Sequence, residues 1–190
     1  AVPTIYNKLI DVDKVDLILG PYGTNFIAAA MPTIIQKKLM TIGILGFNVN
    51  SEFKYPRYFS MNVQGSGLTG FTRGFFETAA RAEPRPKTVA LLGADAEFGK
   101  NAIEGARQNA KDLGFTIVYD RYYPPATTDF TSILRAVQAA KPDVVFAASY
   151  APDTVGIVRA ANEIKLDARM FGGALLGLLA SPIKVQLGPL

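Results

Sequence analysis

Short, continuously apolar runs alternate along the chain with longer segments in which apolar residues recur at helical spacing. Val15-Asp16-Leu17-Ile18-Leu19 ends at Gly20-Pro21, and Met40-Thr41-Ile42-Gly43-Ile44-Leu45 ends at Gly46; both read as buried strands, with a helix from Asn25 to Lys38 between them. The later half is more regular. Thr88-Val89-Ala90-Leu91-Leu92, Thr116-Ile117-Val118-Tyr119, Val144-Val145-Phe146-Ala147 and Arg169-Met170-Phe171 are strands at near-even spacing, and each gap holds one helix. Lys100 to Leu113 stops at Gly114, Thr131 to Ala140 stops before Pro142, and Pro152 to Ile164 carries Pro and Asp in its first turn. Strand, helix, strand in this rhythm implies right-handed crossovers, a parallel sheet and helices on both faces, so the class is α/β.

The rhythm breaks at Ala82-Glu83-Pro84-Arg85-Pro86, which ends a helix from Leu68 to Arg81. A domain boundary is expected there, giving regions 1–84 and 85–190. The first region offers only two convincing parallel strands, too few to bury a sheet on both faces. Thr4 to Ile10 reads as the tail of a helix and Leu179 to Leu187 as a helix with nothing after it, which is the expectation for an internal portion of a longer protein.

Composition narrows the chemistry. The 190 residues include no His, Cys or Trp, which excludes Ser-His-Asp and Cys-His nucleophiles, zinc-finger sites, His- or Cys-ligated haem and disulfides. No catalytic residue and no metal ligand set is assigned. The net charge of +4 suggests nucleic acid only until the charges are located: residues 1–84 carry 8 basic and 6 acidic groups and residues 85–190 carry 12 and 10, with a single Lys-Lys pair at Lys37-Lys38. No basic stripe interleaved with aromatics emerges, so no nucleic-acid partner is expected. The longest uncharged run, Leu17 to Gln36, contains Gly20-Pro21-Tyr22-Gly23, Asn25 and Pro32, so it reads as strand, turn and helix rather than a span inserted in a membrane.

Two glycine-rich turns invite a ligand. Gly65-Ser66-Gly67-Leu68-Thr69-Gly70 matches the dinucleotide fingerprint, with a possible strand Tyr58 to Val63 before it and Asp95 beyond the next strand. Against an NAD-binding oxidoreductase stand the polar Ser60, Asn62 and Gln64 in that strand, the late Asp95, and the lack of any His, Cys or Tyr-x-x-x-Lys pair; a helix entry packed closely on its neighbour explains the glycines as well. Gly20-Pro21-Tyr22-Gly23-Thr24-Asn25 lies at a strand's carboxyl end and before a helix, where amides and the helix dipole favour an anion and Thr24 adds a hydroxyl. The equal alternative is a simple N-cap. Further strand ends fall at Gly43 to Asn48, Gly93 to Gly99, Ala148 to Ala151 and Gly172 to Ala174, bringing Phe98 and Tyr150 onto loops.

Leu17 to Thr24, Met40 to Gly43, Val89 to Leu92 with Glu97-Phe98-Gly99, Asp129 to Leu134 and Pro142 to Val145, in that order, resemble the periplasmic solute-binding proteins of branched-chain amino acid ABC transporters. The resemblance covers nearly the whole chain. It implies two doubly wound parallel-sheet lobes of the type I periplasmic-binding fold, incomplete at both ends, with 1–84 the later part of the first lobe and 85–190 most of the second. It further implies a periplasmic location, no cofactor, no enzymatic activity, a small-molecule ligand in the cleft between lobes and a membrane permease as partner. The carboxylate-holding positions match Tyr22, Gly23 and Thr24, then Ile44 and Gly46, where the leucine/isoleucine/valine-binding relatives have a threonine at Gly46. The aromatic pocket positions match Phe98 and Tyr150, and the acid that neutralises a ligand's amino group matches Ala174.

No Asp or Glu follows Asp167. An alkylammonium enclosed without a counter-charge costs several kcal/mol. The expected ligand is therefore a carboxylate lacking the ammonium, with aromatic or other apolar bulk against Tyr22, Phe98 and Tyr150, unless Asp95 or Glu97 reaches it. A ligand-sensing regulatory domain of the same fold is the other reading.

Overall fold

A computed structural model describes residues 1–62 and 67–188. The chain divides into two units, Ala1–Gly65 and Ser66–Leu190. In the first, helix α1 (Val2–Asn7) runs into a π-helical turn, followed by β1 (Ile18–Tyr22), α2 (Thr24–Gln36), β2 (Thr41–Ile44), α3 (Asn50–Phe53) and β3 (Tyr58–Ser60). The strands form a parallel sheet in the order β1-β2-β3. Tyr6, Ile18, Ala30 and Ile34 make the core under α1 and α2. The opposite row, Leu19 and Phe59 flanking Ile42 in register, leaves its two outer residues exposed.

The second unit contains α4 (Gly67–Ala80), β4 (Thr88–Ala94), α5 (Glu97–Asp112), β5 (Thr116–Tyr123), α6 (Thr131–Ala139), β6 (Val144–Ser149), α7 (Ala151–Glu163), β7 (Met170–Leu175), a 3-10 turn Leu176–Leu179 and α8 (Ser181–Leu187). Its sheet is parallel throughout, in the order β5-β4-β6-β7. The continuously apolar β4 and β6 are its central strands, as parallel sheets covered on both faces require. Leu92, Val145 and Ala147 point into a core with Leu134, Val137 and Ile157 from α6 and α7. On the other face Phe146 meets Phe75 and Phe76 of α4. The α/β class and the doubly wound parallel arrangement follow directly.

Two boundaries depart from the pattern-based reading. β1 continues through Gly20-Pro21 to Tyr22 instead of ending at Leu19; among the described residues it pairs with β2 alone, and that pairing is irregular between Leu19 and Tyr22, where a residue without an N–H is tolerated. The division of the chain comes before α4, not at residues 82–86. Thr72 and Phe76 are buried, and Asn109 of α5 donates to Thr69 O and Thr72 Oγ1, each at 2.8 Å, so α4 is bound to the second unit.

The amino ends of the two central strands are stapled by Asp143. Its Oδ2 accepts from the Lys87 and Thr88 amides at 2.6 and 2.9 Å, while its own N–H donates to Thr88 Oγ1 at 2.8 Å. The amide bonds from Lys87 and then Thr88 hold the carboxyl below the usual range. A folded pKa below the unfolded value means stabilisation that is complete above the unfolded pKa, near 4, and is lost as pH falls through the folded one. Asp143→Ala is expected to cost about 1 kcal/mol at pH 7, a low value for a charged acceptor because water screens it. Urea midpoints measured from pH 7 to pH 2 should converge with those of the parent protein at the acid end; a constant gap would count against the carboxylate.

Candidate functional site

In the first unit, β1 and β2 end side by side, with Tyr22 paired to Ile44. Gly23 turns the chain between β1 and α2 at φ +90°, a conformation that only glycine adopts without strain. Its N–H donates to Ile44 O at 3.0 Å and its carbonyl accepts from Ile27 N–H at 3.1 Å. Among the described residues no side chain caps α2, so its first-turn amides and dipole favour an anion. Tyr22 is exposed beside this turn.

Thr24 is almost fully buried, and its Oγ1 accepts the Phe47 N–H at 2.9 Å. The hydroxyl thus ties the start of α2 to the loop after β2, and it keeps one proton to donate. Thr24→Val should leave the buried Phe47 amide without its acceptor and lower stability by about 1–3 kcal/mol, whereas Thr24→Ser should retain most of it. Thermal melts of the pair test this; equal losses would place the effect in the lost methyl packing. Gly46 is also buried, and the volume of a side chain there is already occupied: a Cβ would lie 2.7 Å from Ile27 Cδ1 and 2.8 Å from the Tyr58 hydroxyl. A side chain at Gly46 would therefore require these neighbours to move.

In the second unit the strand ends bring aromatics together. Phe98, in the first turn of α5 after β4, and Tyr150, between β6 and α7, have ring centroids 5.7 Å apart. Adjacency of β4 and β6 in the sheet is the reason. Ala174 lies near the end of β7, paired with Ala148 and buried. Phe71 of α4, which the pattern of strand ends does not reveal, meets Phe98 edge-on at 6.0 Å. Its signal in the sequence is only its place one helical turn before Phe75.

The carboxylates near these ends are engaged. Asp153 is buried in the first turn of α7; one oxygen accepts the Tyr123 hydroxyl at 3.0 Å, and the Tyr150 amide bonds the carboxylate as well. Burial pushes the Asp153 carboxyl up against those bonds and, with the neighbouring Asp153 charge, pushes the Tyr123 phenol up. Asp95 is exposed and pairs with Lys100 at 2.8 Å. Below Tyr150, Thr154 donates to Tyr150 O at 2.8 Å, accepts from Gly177 N–H at 3.1 Å and shares a 2.7 Å bond with Ser149. That network joins the ends of β6 and β7 through α7.

Of the dinucleotide fingerprint, Gly65 and Ser66 lie outside the described residues, and Gly67 to Gly70 open α4. β3 belongs to the first sheet and β4 to the second, so the glycines do not sit in a βαβ unit of one sheet, the arrangement through which that fingerprint holds a pyrophosphate. Asp95, where the fingerprint would want a ribose contact, is paired with Lys100. Among the described residues no group of three or more His, Cys, Asp or Glu could hold a metal ion, and no helix is long and apolar enough to cross a membrane.

A model of the family described as periplasmic binding protein matches residues 2–189. The Leu/Ile/Val-binding protein homolog 8 of Brucella abortus (strain 2308) is 30% identical over 81 residues, covering 43% of this chain and 20% of that protein. An ABC transporter solute-binding protein from R. palustris, in complex with 4-hydroxybenzoate, superposes with a TM-score of 0.84 at 21% identity, over 99% of this chain and 50% of that one. Another from Rhodopseudomonas palustris BisB5, in complex with 3,4-dihydroxybenzoic acid, gives 0.76 at 25% identity over 90% and 47%. The branched-chain amino acid transporter substrate-binding protein LivJ of Streptococcus pneumoniae, in complex with isoleucine, gives 0.72 at 18% identity over 90% and 47%. The chain spans about half the length of these solved structures.

Proposed function

We propose that this chain, which belongs to the periplasmic binding protein family, binds a small carboxylate with aromatic or other apolar bulk and serves an ABC transporter outside the cytoplasm. The observation that carries the ligand class is the second unit's strand ends: Phe98 and Tyr150 pair at 5.7 Å, and Ala174 near the end of β7 stands at the position that the resemblance matches to the acid of amino-acid binders. Asp153, the buried carboxylate nearest in sequence to Tyr150, is committed to Tyr123 and to the Tyr150 amide. A bare ammonium there would be enclosed at a cost of several kcal/mol.

The first unit, taken by itself, has the chemistry that a carboxylate needs. The turn at Tyr22, Gly23 and Thr24, with Ile44 and Gly46 at the neighbouring strand end, offers amides and the positive end of α2 to a carboxylate. The ligands bound in several structural neighbours, 4-hydroxybenzoate, 3,4-dihydroxybenzoic acid and benzoate, support an aromatic acid. Isoleucine in the complex from Streptococcus pneumoniae is the contrasting case. Nothing in this arrangement requires a bond to be made or broken; the function is capture and release, with a membrane permease as the receiving partner in the periplasm.

Titration calorimetry with benzoate, 4-hydroxybenzoate, leucine and valine tests the reading. Heat from the aromatic acids and none from the amino acids is expected. Tight binding of leucine or valine, with none of either aromatic acid, would overturn it.

A further inference from the structure

Phe98 is one of the residues proposed for the ligand, yet it is only 4% exposed. It is backed by Tyr150 at 5.7 Å on one side and met by Phe71, edge-on at 80° and 6.0 Å, on another. Phe71 itself is 46% exposed. A single exposed phenylalanine needs no explanation in general. This one differs because it extends a buried aromatic stack at the carboxyl end of β4, the edge at which parallel sheets receive ligands.

The helix that carries it is held in place. Phe75, one turn on, packs against Phe76 at 5.3 Å and Phe146 at 5.2 Å, and Asn109 bonds both Thr69 O and Thr72 Oγ1. Phe71 is therefore presented at a fixed position rather than on a mobile loop. Resting on the proposed carboxylate-binding function, we infer that Phe71 is a specificity-determining residue: its ring, backed by Phe98, gives the aromatic part of the ligand an edge-to-face partner that an aliphatic group of similar size does not use.

The test compares benzoate with 4-methylpentanoate, the acid that has leucine's side chain and no ammonium, on the parent protein, Phe71→Leu and Phe71→Tyr. Leucine keeps apolar bulk and removes the ring, so benzoate affinity should fall about five- to tenfold while 4-methylpentanoate stays within about twofold. Tyrosine keeps the ring and should hold benzoate within about twofold, which separates the role from any loss of folding. Equal losses for both acids in Phe71→Leu, or an unchanged benzoate affinity, would overturn the role of Phe71 and leave the carboxylate reading standing. A parent protein that binds neither acid would overturn that reading, and this role with it.

Discussion

Replacing Phe146 by alanine is expected to lower the unfolding free energy of the second unit by about 3–5 kcal/mol. Phe146 is 1% exposed in the central strand β6, stacked on Phe76 at 5.6 Å and edge-on to Phe75 at 5.2 Å. Gly173 on the adjacent β7, at φ +114°, lies so close that a Cβ there would approach the ring to 2.6 Å. The strand, the helix and the neighbouring strand are thus shaped around this side chain, and a backbone flanked on both sides by ladder bonds collapses little into the space left. Against a typical total of about 5–15 kcal/mol, that loss approaches the whole stability of a small domain. Urea unfolding followed by circular dichroism measures it, with Phe59→Ala, at an exposed position of the first unit, as the comparison expected to change by less than about 0.5 kcal/mol. A Phe146→Ala loss below about 1 kcal/mol would refute the packing described.

Gly99→Ala should be nearly as damaging, by a different route. A Cβ at this position, in the first turn of α5, would stand 2.2 Å from Ala94 O and 2.9 Å from Ala94 N. Both atoms are backbone of β4, so no rotamer relieves the clash and α5 must move away from the strand end. The expected cost is about 3 kcal/mol, at the upper end of overpacking. Phe98 precedes Gly99 and would shift with it, so a weaker near-ultraviolet aromatic signal and reduced benzoate binding should accompany the loss. Gly74→Ala supplies the opposite sign: nothing lies within 4 Å of its Cβ, and removing glycine from a helix interior should add about 0.5–1 kcal/mol. If both substitutions stabilise, the close approach of α5 to β4 is wrong.

These contrasts show where local pattern suffices and where it does not. β4 and β6 are legible because a strand covered on both faces must be apolar throughout, and both are. Pro21 reads as a terminator, yet β1 runs past it, since tolerance of proline depends on the pairing at that point of the strand. The proline-rich segment at 82–86 reads as a division between domains, whereas the division lies before α4. Helical periodicity announces a buried face on α4 but not that α5 covers it. The glycine fingerprint fails for the same reason: its meaning rests on both flanking strands sharing one sheet.

The candidate site divides in the same way. Strand ends follow from alternation, so Tyr22, Ile44, Phe98, Tyr150 and Ala174 could be found by reading along the chain. The lack of acids beyond Asp167 needed only counting. The bond from the Phe47 amide to Thr24, the capture of Asp153 by Tyr123 and the place of Phe71 over Phe98 each join residues remote in sequence. By itself the sequence determined the α/β class, the order of the elements and the chemistry that is missing, because periodicity and composition are local properties. Tertiary structure alone decided which strands pair, which helix covers which and which aromatic rings meet, because burial is a relation between segments and no segment carries it alone.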